Sequence, residues 1–368
     1  MPRLDNLFRY TKEQDASDLH LAAGQQPRVR VHGTLRPIEG TTAYDDAGLL
    51  ALLRELVAED RWREYETEGD LDFAYAIEGV ARFRANYMRQ QSGAAAVFRL
   101  IPDRIRTLEE LAMPEAVCQL ADLHNGLVLI TGPTGSGKST TLAAIIDRIN
   151  SSWEKHIVTI EDPVEFVHPE RRCVFSQREI GVDTDSFGNA LRGAIRQDAD
   201  VILVAEMRDL ETIALAVTAA EMGSLVFGTL HTNSAAKTID RLIDVFPADQ
   251  QSQTRMSLED TLAAVAPQHL IRTADGRRRR AAVEILLRTS GLGNLIREGN
   301  TPMIHSVIQA GRKAGMQTMD DALHELVRNR KVLPDEAMRR AVEKNRFESY
   351  LAAGPSRTSA DSVLPSRR

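Results

Sequence analysis

The chain has 368 residues, of which 43% are hydrophobic, 27% charged and 5% aromatic, and its formal net charge is −6. That length is enough for two domains with cores of their own, and the balance of apolar and charged residues is that of a soluble globular protein. The acidic balance argues against a coat for nucleic acid or for an anionic membrane, and so few aromatics argue against a surface that stacks single-stranded bases.

Residues 1–100 read as a small α+β domain. Asp18-Leu-His-Leu-Ala and Arg28-Val-Arg-Val-His-Gly alternate apolar and polar positions and predict strands. Leu49, Leu50, Leu52, Leu53 and Leu56 within 43–66 fall at helical spacing, followed by Trp62 and Tyr65. Asp70–Ile77, Ala81–Arg89 and Ala94–Leu100 predict further strands separated by glycine-bearing turns, so helices should pack on an antiparallel sheet. Residues 101–112, which contain Pro102 and several charges, suit an interdomain linker.

From 113 to 351 short apolar strands alternate with helices. Strands are expected at Leu127–Ile130, His156–Ile160, Val201–Val204 and Leu225–Leu230, and helices at Lys138–Asn150, Phe187–Arg196 and Leu210–Met222. That alternation predicts a parallel sheet covered on both faces. Beyond Ala235 the pattern reads as mostly helical with one hairpin signal at Asp275-Gly276, whose following run Arg277–Arg280 reads as a solvated tip. Residues 352–368, rich in Ser, Pro, Ala and Arg, read as a disordered tail.

The two cysteines, Cys118 and Cys173, form no CxxC pair, which excludes a Cys-rich zinc site and suits reduced thiols in a cytoplasmic protein. Arg3, Asp5, Arg9, Lys12, Glu13 and Asp15 interrupt any signal-peptide core. The run 126–130 has the length of a strand rather than of a membrane span.

Gly132-Pro133-Thr134-Gly135-Ser136-Gly137-Lys138-Ser139 satisfies G-x-x-x-x-G-K-[ST], and Thr140 continues it into an amphipathic helix. Glycines let the chain curl so that successive N–H groups point at phosphate oxygens, and the helix start adds its positive dipole end. Lys138 suits the β- and γ-phosphates of ATP, and the Ser139 hydroxyl suits Mg²⁺. Glu161 and Asp162 end a buried strand ahead of Pro163; Glu161 either orients the attacking water or caps the turn that follows. Asp200-Val-Ile-Leu-Val-Ala-Glu206 has the form of a Walker B strand with Glu206 as its acid. His231 ends another strand, where a lone histidine is either structural or a group that senses the γ-phosphate. Arginines gather at Arg82, Arg84, Arg89 and Arg99, and again at Arg192, Arg196 and Arg208.

Together these segments resemble the secretion and type IV pilus ATPases, and within them the PilT-like twitching-motility retraction ATPases. The resemblance runs from about Ala16 to Glu343 and rests on the P-loop, His156–His168, Val201–Asp209, Ala220–Thr232 and Asn233–Asp240. It implies a PAS-like N-terminal domain that moves against a RecA-like core, six copies in a ring, and nucleotide between the two domains. By matching motif it makes Glu161 the catalytic glutamate, Glu206 the Walker B acid and His231 the second histidine of the "His box". Arg82, Arg84 and Arg99 would close over the phosphates. The implied partners are an inner-membrane pilus platform protein, which would hold the ring at the cytoplasmic face, and paralogous pilus ATPases. The alternatives are a weakly hydrolysing accessory subunit, or a pilus assembly or secretion ATPase.

Three positions depart from the family pattern: Ser224 replaces the first histidine of the His box, Ala205 a glycine before the Walker B acid, and Gly293 the first arginine of the retraction motif.

Overall fold

In a computed structural model of the chain, residues 3–31, 33–101 and 104–353 are described, with side chains to Tyr350. Most of the expected tail, from residue 354 on, lies outside the described residues, as do Pro102 and Asp103 of the expected linker. The chain forms two compact units. One comprises residues up to Ile105 with Ile160–Pro169 and Gln177–Ala190; the other comprises Arg106–Thr159, Glu170–Ser176 and the chain from Leu191 onward.

The first unit contains α1 (Asp5–Glu13), β1 (Asp18–Ala22), β2 (Arg28–Val31), β3 (Thr34–Pro37), α2 (Asp46–Arg54), α3 (Glu59–Glu68), β4 (Asp70–Ile77), β5 (Ala81–Gln90) and β6 (Gly93–Ile101). Its six strands run in the order β3-β2-β1-β6-β5-β4, antiparallel throughout. Strict alternation sets the faces: Ala81, Phe83, Ala85 and Tyr87 of β5 are buried, which turns Arg82 and Arg84 to the other side. Phe8 of α1 packs on Phe83 and Phe98 with ring centroids 4.8 Å apart in both cases, so α1 covers the sheet. The leucines at helical spacing fall on α2, capped by Asp45, or just past its end at Leu56, and Trp62 and Tyr65 on a second helix, α3, ended by Gly69 at φ 85°.

Next along the chain come α4 (Glu115–Cys118), β7 (Gly126–Thr131), α5 (Lys138–Ser152), β8 (His156–Glu161), β9 (Val174–Glu179), α6 (Phe187–Ala194), β10 (Val201–Val204), α7 (Leu210–Glu221), β11 (Leu225–Leu230), α8 (Ala235–Asp244) and α9 (Gln251–Thr261). They are followed by β12 (Leu262–Arg272), β13 (Arg279–Val283), β14 (Leu286–Leu287), α10 (Ser290–Glu298), α11 (Ile304–Ala310), α12 (Met319–Arg328), α13 (Pro334–Met338) and α14 (Asn345–Ala353). The sheet order is β13-β12-β7-β11-β10-β8-β9, with β14 also on β12. The pairs β10–β11, β11–β7 and β7–β12 are parallel, and β13 and β14 run antiparallel to β12. Every residue of β7, β10 and β11 is buried, as a parallel sheet covered on both faces requires. The fold is α/β: a mixed, mostly parallel sheet, preceded by an α+β domain.

The C-terminal part departs from the mostly helical expectation. The Asp275-Gly276 turn does join a hairpin, but its first strand, β12, is an 11-residue strand that pairs with β7 itself. Leu108, from the stretch expected as linker, is fully buried in the core around β7 and α5.

Asp321 on α12 ties the last helices together. Its carboxylate accepts from Arg312 at 2.7 Å and from Arg346 of α14 at 2.9 Å, while its backbone N–H donates to the Thr318 hydroxyl that caps the helix, at 3.1 Å. Burial pushes its carboxyl up, but the hydrogen bonds from Arg346, Thr318 and Arg312 outweigh this and lower its pKa from 3.8 to about 2. A folded-state pKa below the unfolded value means stability that is present above pH 3.8 and lost as the pH falls through about 2. Asp321→Asn is therefore expected to cost about 1–2 kcal/mol near neutral pH, allowing for solvent screening of the arginines. Urea unfolding of both forms at pH 7 and below pH 3 checks this, since the difference should shrink in acid.

Candidate active site

β7 delivers the chain to the loop at its carboxyl end, where Gly132 sits at φ 142° and Gly137 at φ 90°. Both positions exclude a side chain sterically as well. A Cβ on Gly132 would lie 2.3 Å from the Gln268 carbonyl oxygen, and one on Gly137 2.9 Å from the Gln268 amide nitrogen. Gly135, at φ 76°, has open space around it, so only its backbone conformation calls for glycine. Pro133, Thr134 and Gly135 are exposed at the loop's crest, as is Ser139 in the first turn of α5, with Thr140 half-buried beside it.

Lys138 is buried to 9% exposure, and its ammonium folds back over the loop, donating to the carbonyls of Gly132 at 2.8 Å and Pro133 at 3.3 Å. The Ser136 hydroxyl is buried without a hydrogen-bond partner. A buried cation held by loop carbonyls, beside an unsatisfied hydroxyl, fits a site that receives anionic oxygens.

β10 and β11 bring an acid and a histidine together in the same unit. His231 Nε2 lies 2.7 Å from Glu206 Oε1, and Arg208 donates to Glu206 Oε2 at 2.6 Å. Partial burial pushes the Glu206 carboxyl up, but Arg208 and His231 more than offset that and hold it below the ordinary glutamate value, so it stays ionised. Asp209 then caps α7 by accepting from Thr212 N–H at 2.8 Å, which fixes where β10 hands over to helix. The Thr229 hydroxyl donates to the Ala205 carbonyl at 2.5 Å, tying β11 to the segment carrying Glu206. Thr134, Glu206, Met207, Arg208, Leu230, His231, Thr232 and Arg241 line one open cleft of about 560 Å³. The loop, Glu206 and His231 are thus brought together. His231, with its side chain 47% exposed, is a cleft residue rather than a packed one.

The other expected site residues belong to the first unit. Glu161, 8% exposed at the end of β8, accepts from Gln177 Nε2 at 3.2 Å and from the Glu165 N–H at 3.4 Å. The three arginines each face a carboxylate there: Arg82 meets Glu179 at 3.5 Å, Arg84 meets Asp72 at 3.7 Å and Glu165 at 3.9 Å, and Arg99 meets Asp18 at 2.8 Å. Burial raises the Glu179 pKa despite the Val164 N–H and Arg82 beside it.

Two of the three departures lie elsewhere. Ser224 precedes β11 and its hydroxyl donates to the Ala199 carbonyl at 3.0 Å. His231 follows the other end of that six-residue strand, seven steps of ~3.3 Å or about 23 Å away. Gly293 sits on α10, where a Cβ would meet Glu259 Cγ at 3.0 Å; Glu259 is already paired with Arg297 at 2.9 Å.

Sequence reasoning missed Gln268 and Glu284. Glu284, 7% exposed, accepts from the Ala235 N–H at 2.7 Å and from the Met319 N–H at 3.4 Å, so one carboxylate serves the starts of both α8 and α12. Burial raises its pKa in spite of these bonds. Neither residue belongs to a spacing motif; each is defined by strands that meet only in the folded sheet.

A glycine loop bent between a buried parallel strand and a helix, with an ionised acid from a second strand facing its cleft, defines a P-loop nucleoside triphosphatase. The chain belongs to the family described as "Type II/IV secretion system protein", whose profile matches residues 2–363. It is 49% identical over 324 residues to the type IV pilus retraction ATPase PilT of Pseudomonas aeruginosa, covering 88% of this chain and 94% of that protein. It is 47% identical to a twitching motility protein of Neisseria gonorrhoeae, covering 91% of this chain and 90% of that one. A crystal structure of the pilus retraction motor PilT with bound ADP superposes with a TM-score of 0.87 at 39% identity, over 95% of this chain and 99% of that one.

Proposed function

We propose that this protein is an ATPase motor that couples ATP hydrolysis to type IV pilus retraction. The observation that carries the chemistry is the cleft itself, which Thr134 of the P-loop lines together with a carboxylate kept ionised by Arg208 and His231. The task rests on similarity to the retraction ATPase and the twitching motility protein.

On this reading the loop from Gly132 to Thr140 holds the phosphates through backbone N–H groups, and Lys138 leaves the loop carbonyls for phosphate oxygens. Ser139 and Glu206 are the groups that would hold Mg²⁺, which supplies positive charge against the charge that develops on the phosphates. His231 reads the terminal phosphate from the Glu206 side. Glu161 orients and deprotonates water, and Arg82, Arg84 and Arg99 exchange their carboxylate partners for phosphate. The domain reading assigns residues 1–100 to a PAS-like domain, 101–112 to a linker and 113–351 to the RecA-like core. The protein works as a ring of six with a pilus platform protein and paralogous ATPases. The platform protein would hold the ring at the membrane's cytoplasmic face; no helix among the described residues is long and apolar enough to cross a membrane.

The test has two arms. Purified protein should bind ADP and release phosphate from Mg-ATP; failure to bind at millimolar nucleotide removes the enzymatic reading. A deletion strain should keep its pili and lose their retraction. Loss of the pili themselves would instead assign the motor to assembly.

A further inference from the structure

Gln268 is 1% exposed and follows Pro267, whose partner on β7 is Thr131, the last residue before the loop. Its side-chain amide is used at both ends. Nε2 donates to the Ser136 carbonyl at 2.7 Å, and Oε1 accepts from the Thr141 hydroxyl of α5 at 2.9 Å. The same residue fills the space beside Gly132 and Gly137, where side chains would collide with its carbonyl and its amide.

A trans peptide carries its C=O and N–H on opposite sides. Holding the Ser136 carbonyl toward Gln268 therefore turns the Gly137 N–H away from it, and Gly137 is the residue from which α5 begins, immediately before Lys138. Glycine at φ 90° would otherwise let that peptide rotate cheaply. The bond from Thr141 fixes the amide from the helix side, so the loop's last peptide and the helix's first turn are locked to one group.

We infer that Gln268 is the positioning residue of the P-loop, orienting the Ser136–Gly137 peptide so that its N–H faces the nucleotide phosphates. This rests on the nucleotide reading of the loop. The role needs a donor and an acceptor on one side chain of this length. Methionine matches the length and supplies neither; asparagine is one methylene too short.

The experiment compares wild type, Gln268→Met and Gln317→Met in the full chain. Gln317 is the control, because its Nε2 donates to the Val283 carbonyl at 2.7 Å in the antiparallel part of the sheet, a similar bond that does not involve the loop. Both variants should lower the melting temperature. Only Gln268→Met should raise the Kd for ADP and the KM for ATP, by about tenfold, with kcat within about threefold, because the lost contact acts on bound nucleotide throughout the reaction. If Gln268→Met loses stability as the control does and keeps Kd and KM within about twofold, the inference is wrong. Wild type that fails to bind ADP defeats the functional reading instead.

Should Gln268→Met not fold, Gln268→Glu decides. A carboxyl buried here has a raised pKa; neutral, it still donates and accepts, and ionised, it repels the Ser136 carbonyl. Its ADP affinity should fall about tenfold more than that of wild type between about pH 6 and 9. A pH dependence matching wild type overturns the inference.

Discussion

Lys138→Ala should reduce ATP turnover by a factor of at least ~10²–10³, the scale set by removing one preorganised charge from a phosphate or oxyanion site. The ammonium is buried and donates to the Gly132 and Pro133 carbonyls, acceptors within the loop itself. Anionic oxygens entering the loop offer it a stronger, charge-assisted partner, so the group is poised to transfer rather than to build. Alanine removes that attraction and leaves two loop carbonyls without their donor. Steady-state phosphate release, with thermal unfolding to confirm the fold, provides the measurement. Turnover within about threefold of wild type would take Lys138 out of the chemistry.

Glu161→Gln separates base from binding. The substitution keeps the shape but only one of the two accepting oxygens, so either the Gln177 or the Glu165 bond is lost, at a cost in stability of about 1 kcal/mol. On the proposed reading it also removes the group that takes a proton from water, a step worth ~10²–10⁴ in rate. We expect kcat to fall by about that factor with ADP affinity preserved. The capping alternative open in the sequence predicts nearly unchanged kcat, and pre-steady-state phosphate release distinguishes the two.

How much of this was legible beforehand follows from where the information sits. The P-loop, the strand before it and the strand Val201–Val204 that leads to Glu206 are local: apolar runs of strand length, then residues whose chemistry is tied to spacing. All of them lie where the sequence placed them. β12 was not legible, because α9 runs straight into it at Leu262 with no glycine or proline to mark the change. Its alanines (Ala263, Ala264 and Ala266) are good helix formers. Pairing with β7 overrides that propensity, which is a tertiary effect no window of sequence contains. Gln268 was hidden with the strand that carries it. His231 was ambiguous for a different reason: a histidine at a strand end declares its role only through its neighbour, here Glu206. Ser224 shows how little contiguity in sequence says about proximity. The His box is contiguous in sequence, but β11 separates its two halves and puts Ser224 at the opposite end of the strand from His231.

The carboxylate of Glu284 gives the second unit a mechanical property. Two helices begin on its two oxygens: α8, which leaves the His231 loop, and α12, which carries the salt-bridged end of the chain. Drawing either helix off its oxygen would strand a buried acceptor, so the two starts resist separation and tend to travel as a pair. A tug on the C-terminal bundle is thereby delivered to the rim of the catalytic cleft within a few bonds, and rearrangement at that rim is felt in the bundle by the same route.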